Sequence, residues 1–110
     1  MVRIPRTVLK KFRRAFFWTS KVSLLISNDV IFWFRDDENT SVIIHLPTKL
    51  RVVLDLVGDF IWRQLVKGIQ RDKLIQNLVT HYGVAHVTAR TDLDDFIEEL
   101  IDMGVLRSVT

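Results

Sequence analysis

Between Asp55 and Gly104 the apolar residues fall on a helical period three times in succession, and a glycine closes each run. Val57, Phe60, Ile61 and Leu65 approximate one face, with Trp62 beside it, and Gly68 follows. Leu74, Ile75, Leu78, Val79 and Tyr82 precede Gly83; Leu93, Phe96, Ile97, Leu100 and Ile101 precede Gly104. Such spacing paints an apolar stripe down one side of a helix, and glycine readily takes the backbone conformation that ends one. Asp55 is placed to cap a first helix running to about Lys67. The second opens at Arg71 or Asp72 and the third at Thr88.

Upstream of Asp55 the pattern changes. Val22–Ile26 is a short apolar run, and Ser27-Asn28-Asp29 is turn chemistry. Val30–Phe34, Val42–Leu46 and Leu50–Leu54 are β-branched or aromatic segments. A polar connection, Asp36-Asp37-Glu38-Asn39, joins the first two, and Pro47-Thr48-Lys49 ends the second. Three such segments in succession predict an antiparallel meander. The fold class is therefore α+β: a three-stranded antiparallel sheet followed by a three-helix bundle. Val105–Val109 either returns as a short strand or trails, and with a terminal wing the outline is also winged-helix-like. An edge strand of such a sheet is an open template for another peptide's backbone.

With 110 residues the chain has the length of one domain. Its charge is unevenly spread. Residues 1–21 hold seven bases and no acid, so the rest carries nine bases against thirteen acids, a net of −4. The high isoelectric point thus belongs to the tail, which weakens any case for nucleic-acid binding by the folded part. Residues 1–21 are read as a basic amphipathic N-terminal extension, and 22–110 as the domain. Leu9, Phe12 and Phe16, with Val8 and Ala15 beside them, suggest a helix from Thr7 to Trp18. Such a helix either packs its aromatic side on the domain, lies on an anionic membrane surface through residues 7–18, or holds an acidic partner.

Little chemistry is available. There are no cysteines, which excludes disulfides, thiolate nucleophiles and Cys-type metal sites. His45, His81 and His86 are scattered, no glycine-rich phosphate loop occurs, and no serine sits in a nucleophile elbow. Asp94, Asp95, Glu98 and Glu99 follow helical surface spacing rather than that of a calcium loop. The reading is a non-catalytic binding protein with no cofactor and no metal. No apolar run approaches the roughly 20 residues a membrane span needs, and the chain reads as soluble and cytoplasmic.

At the junction of the two halves the residues become specific. The stretch L-D-L-V-G-D-F-I-W-R-Q-L-V-K-G, Leu54 to Gly68, resembles the strand-to-helix segment of the PqqD-like family, the proteins of pyrroloquinoline quinone biosynthesis and their relatives. Asp55 takes the family's Asn position, Gly58 a small position, and Ile61-Trp62 the apolar pair. Leu74, Leu78 and Tyr82 match its second-helix pattern. Asp92, Leu93, Phe96, Ile97, Leu100, Gly104 and Val105 match its third-helix ending. V-I-I-H-L-P-T-K followed by R-V-V-L resembles its strand, proline turn and next strand. The likeness covers about residues 22–107; Leu56-Val57 departs from the usual polar helix start, and residues 1–21 match nothing in the pattern.

The resemblance implies a RiPP recognition element, a domain that binds the leader of a ribosomally made precursor peptide and presents it to a modifying enzyme or leader peptidase. The leader adds as a strand to the sheet edge, with its side chains in a groove against the third helix. In this sequence the edge is expected at Arg51, Val52, Val53 and Leu54. The groove wall is expected at Leu93, Ile97 and Ile101, with Asp94 and Glu98 alongside to meet a basic leader. Two other readings remain open: a winged-helix DNA-binding regulator, disfavoured by the acidic third helix, and a membrane-surface adaptor acting through the basic segment.

Overall fold

The computed structural model describes residues 13–27 and 30–109. Two three-stranded antiparallel sheets and three helices make up the described chain, in keeping with the α+β class. The strands are β1 (Arg13–Phe17), β2 (Ser23–Ser27), β3 (Ile31–Arg35), β4 (Ser41–His45), β5 (Leu50–Val53) and β6 (Arg107–Val109). The helices are α1 (Leu56–Val66), α2 (Arg71–Tyr82) and α3 (His86–Asp102).

The expected meander is the second sheet, in the order β3-β4-β5. Its first connection turns on Asp36, whose carboxylate accepts from the backbone N–H of Glu38 and of Thr40, both at 3.0 Å. The other sheet, β1-β2-β6, is only partly legible in the sequence. The apolar run Val22–Ile26 overlaps its middle strand, Ser23–Ser27, and the C-terminal residues do return, pairing Arg107–Val109 with β2.

The helix expected over Thr7–Trp18 is corrected here for the residues that are described. Arg13–Phe17 is a strand, in register with β2 from Arg13 opposite Ser27 to Phe17 opposite Ser23. A period of two wins over the helical spacing. Phe16 and Trp18 turn inward and meet edge to face at 6.5 Å, while Ala15 and Phe17 point out. Leu9 and Phe12, the other residues of that helical pattern, lie outside the described residues.

The helices run close to where their glycines and caps place them. Asp55 accepts from the Gly58 N–H at 2.7 Å and opens α1. Gly58 lets this turn sit on the preceding strand, since a Cβ there would lie 3.3 Å from that of Leu54. Gly104 has φ +78°, and a Cβ on it would stand 2.8 Å from His45 Nε2, so it allows the end of α3 to close on the end of β4. α3 begins two residues before the expected Thr88.

One core joins all layers. Trp18, directly after β1, and Leu24 and Ile26 of β2 meet Ile61, Trp62 and Leu65 of α1 and Leu93, Ile97 and Leu100 of α3 in a single cluster. Trp62 is fully buried and sits edge-on to Trp33 at 6.2 Å. Arg71 closes the bundle from outside: its Nε and its Nη2 donate to the two oxygens of Asp94 at 2.9 and 2.6 Å, clamping the start of α2 to α3.

Beneath α1 lies a polar relay. Trp33 Nε1 donates to Ser41 Oγ at 3.0 Å, and the Ser41 hydroxyl donates to Asp59 Oδ1. Arg35 and Arg63 both donate to Asp59 Oδ2, at 3.2 and 3.0 Å. Asp59 and Ser41 are buried, so α1 is held to β3 and β4 by a carboxylate with both oxygens satisfied. Burial pushes the Asp59 carboxyl up, but the Ser41 hydrogen bond and the charges of Arg63 and Arg35 outweigh it and hold it below its ordinary value of 3.8. The ionised form therefore stabilises the fold fully above that ordinary value, and the contribution is lost as pH falls through the depressed folded one. Urea unfolding from pH 6 down to pH 3 tests this. Asp59→Asn loses about 1–2 kcal/mol at pH 6, and its stability falls less steeply with acid than the wild type's.

Candidate peptide-binding groove

β5 has β4 on one side and no strand on the other among the described residues. Its register places Val53 opposite Val42 and Arg51 opposite Ile44. The Leu54 N–H donates to Ser41 O at 2.9 Å. In an antiparallel ladder, bonded and non-bonded pairs alternate. Leu54, Val52 and Leu50 therefore turn their backbone groups toward β4, whereas Arg51 and Val53 turn theirs to the open edge. Pro47–Lys49 makes the turn that starts this strand, with Lys49 at φ +59°, and Asp55 ends it by capping α1.

Beside that edge runs a groove of about 480 Å³. Val52, Val53 and Leu54 form one wall, and the start of α1, through Val57 and Ile61, forms part of the floor. Asp92, Asp95, Phe96 and Glu99 of α3 form the other wall. Among the described residues no Lys or Arg lines it. The groove is apolar at its base and acidic along its helical rim, so it suits a chain that offers apolar side chains inward and bases outward.

The residues expected at the site divide. Val52, Val53 and Leu54 line the groove, and Arg51 is exposed on the same strand. Leu93 and Ile97 are buried in the core instead, at 0% and 6% exposure, and Ile101 packs against that core half-buried. Asp94 is turned away toward α2, where it holds Arg71. Glu98 is exposed and is not part of the groove lining. The helix is thus rotated relative to the expected wall: the stripe i, i+4, i+8 from Leu93 is its core face, and the neighbouring stripe through Asp92, Asp95, Phe96 and Glu99 looks onto β5. A sequence signal for this existed in Phe96, the large aromatic beside the acids. Among the described residues no group of His, Asp and Glu is placed to hold a metal ion, and no helix is long and apolar enough to cross a membrane.

The model of the family described as coenzyme PQQ synthesis protein D (PqqD) matches residues 40–106, more than half of the chain. The chain belongs to the PqqD family. The matched span runs from the start of β4 to the end of α3 and contains every residue of the groove. It leaves out β1, β2, β3 and β6. A solved structure of this fold, "TbiB1 in Complex with the TbiA(beta) Leader Peptide", is similar with a TM-score of 0.67 at 29% identity, over 72% of this chain and 91% of that one. No curated protein matches the chain significantly.

The rotation of α3 is open to a direct check by chemical denaturation. Leu93→Ala removes a fully buried side chain and costs about 2–5 kcal/mol. Phe96→Ala, at a half-buried groove position, costs less than half of that although more atoms are removed.

Proposed function

We propose that this chain binds the leader region of a ribosomally synthesised precursor peptide by strand addition to β5. It presents that peptide to a modifying enzyme or leader peptidase in the cytoplasm, and has no catalytic role of its own. The observation that carries the reading is the open edge of β5 facing a groove under α3, in a member of the PqqD family. TbiB1, which is similar in fold and sequence, is in complex with a leader peptide.

The energetics divide the work. Arg51 and Val53 each offer one N–H and one C=O to a guest strand. Four such bonds contribute about 4 kcal/mol, at about 1 kcal/mol net each. Micromolar binding needs about 8 kcal/mol, with the cost of ordering the guest to be offset as well. The remainder has to come from apolar side chains buried in the groove, at about 25 cal/mol per Å². Backbone pairing therefore sets register, and the groove sets affinity and choice of leader. Asp92, Asp95 and Glu99 add preference for a leader with a basic residue over the α3 rim.

The test is a fluorescence anisotropy titration with the labelled leader of a candidate precursor encoded beside the gene. Saturable binding at micromolar concentration or tighter is expected, undisturbed by duplex DNA as competitor. Val53→Pro removes an outward donor and leaves the inner ladder to β4, so affinity falls at least tenfold while the circular dichroism spectrum is unchanged. Absence of leader binding, together with salt-sensitive DNA binding, would falsify the reading.

A further inference from the structure

A second cavity opens at the end of the groove, among the start of α1, the end of α2 and the start of α3. It measures about 250 Å³ and is lined by Val57, Leu78, Tyr82, Val84, Ala89 and Asp92. Val57 and Asp92 also line the groove, so the two spaces adjoin there. Leu78 and Ala89 make a buried floor. Val57, Tyr82 and Val84 remain 39%, 37% and 36% exposed. Leu56, beside Val57 in α1, is 80% exposed. These side chains leave an apolar rim in contact with water.

The walls are held in place without a guest. The Tyr82 ring stands edge-on to Phe60 at 5.4 Å, and its hydroxyl donates to Leu56 O at 3.4 Å. Gly83, at φ +66°, turns the chain directly after α2 and leads it into Val84. The volume lies below the roughly 300–1,000 Å³ of pockets that enclose a whole small ligand. It suits one bulky side chain.

Resting on the leader-binding reading, we propose that this cavity is a second, specificity-determining subsite for the same peptide. It takes one bulky apolar side chain from the part of the leader that continues past the Val53 end of β5. Adjacency to the groove selects this occupant: Val57 and Asp92, which line the groove together with Val53, also line the cavity. Preformed walls spare the ordering cost that a loose surface would impose, so the side chain adds affinity that edge pairing cannot supply.

The absence of native cysteine makes the test direct. Val84→Cys is labelled with bimane, and Lys73→Cys, exposed at the far end of α2, serves as the control. Adding the same candidate leader peptide is expected to shift bimane emission to the blue at position 84 and not at 73. In parallel, Val84→Asp weakens leader binding about tenfold with an unchanged melting temperature. Replacing one bulky apolar leader residue outside the strand-adding stretch by alanine weakens it similarly, and the two changes together are no worse than either alone. If the wild type binds the leader while Val84→Asp binds equally well and the position-84 label stays silent, the subsite is wrong and the edge-binding reading stands. If the wild type binds no leader, both are overturned.

Discussion

The molecule turns on a single buried carboxylate. Asp59 gathers a serine and an arginine from the second sheet and an arginine from its own helix, and so holds α1 against β3 and β4. The groove and the second cavity both refer to α1. Its N-terminal turn ends β5, its Val57 and Ile61 lie under the groove, and its Leu56 carbonyl holds Tyr82 at the second cavity. An apolar contact could hold the same helix without fixing its rotation. The relay is directional: each hydrogen bond has one donor and one acceptor with a preferred line between them. A helix anchored through both oxygens of one side chain has little freedom to roll. That constraint matters where Val57 lines the groove on one flank and Phe60 packs against Tyr82 on the other.

Much of this architecture is legible in the sequence, and the reasons differ by element. The three helices are readable because their apolar spacing, the Asp55 cap and the closing glycines agree with one another. The meander is readable because β-branched segments alternate with turn residues. The N-terminal strand is hidden because Phe16 belongs to two patterns at once, a helical one with Leu9 and Phe12 and a period of two with Trp18. The choice between them is made by β2, a partner that local spacing does not reveal. The groove lies between correctly placed elements, yet its helical wall stands one stripe away from the expected one. Periodicity shows that α3 has a wet side and a dry side, but Phe96 sits on the border, and only packing against α1 and α2 decides which stripe meets β5. Asp59 leaves only a faint trace, its i, i+4 spacing to Arg63, because nothing local says that Ser41 and Trp33 come to meet it.

The two sheets have separate relations to the family. The matched residues contain β4, β5 and all three helices, which is the whole of the groove. The β1-β2-β6 sheet lies outside that span yet shares the core through Trp18, Leu24 and Ile26. Its link to the bundle includes a hydrogen bond from the Arg71 N–H to Trp18 O at 2.9 Å, next to the Arg71–Asp94 clamp. The groove is thus lined entirely from within the family match, while the β1-β2-β6 sheet and β3 lie outside it.

For a leader that adds to β5 as proposed, the alternation along that strand has a consequence for how such peptides diversify. Because only every second residue of the edge offers its amide and carbonyl outward, a guest strand has no intermediate stopping places. Sliding it by one residue would carry its inward side chains to the opposite face. Insertions or deletions within the paired stretch of a leader are therefore read by parity. A change of two residues keeps the guest in step with the edge and displaces only the residues beyond the change, whereas a change of one forces a bulge or forfeits the groove. A peptide family recognised in this way can vary its composition widely and its paired length only in even steps.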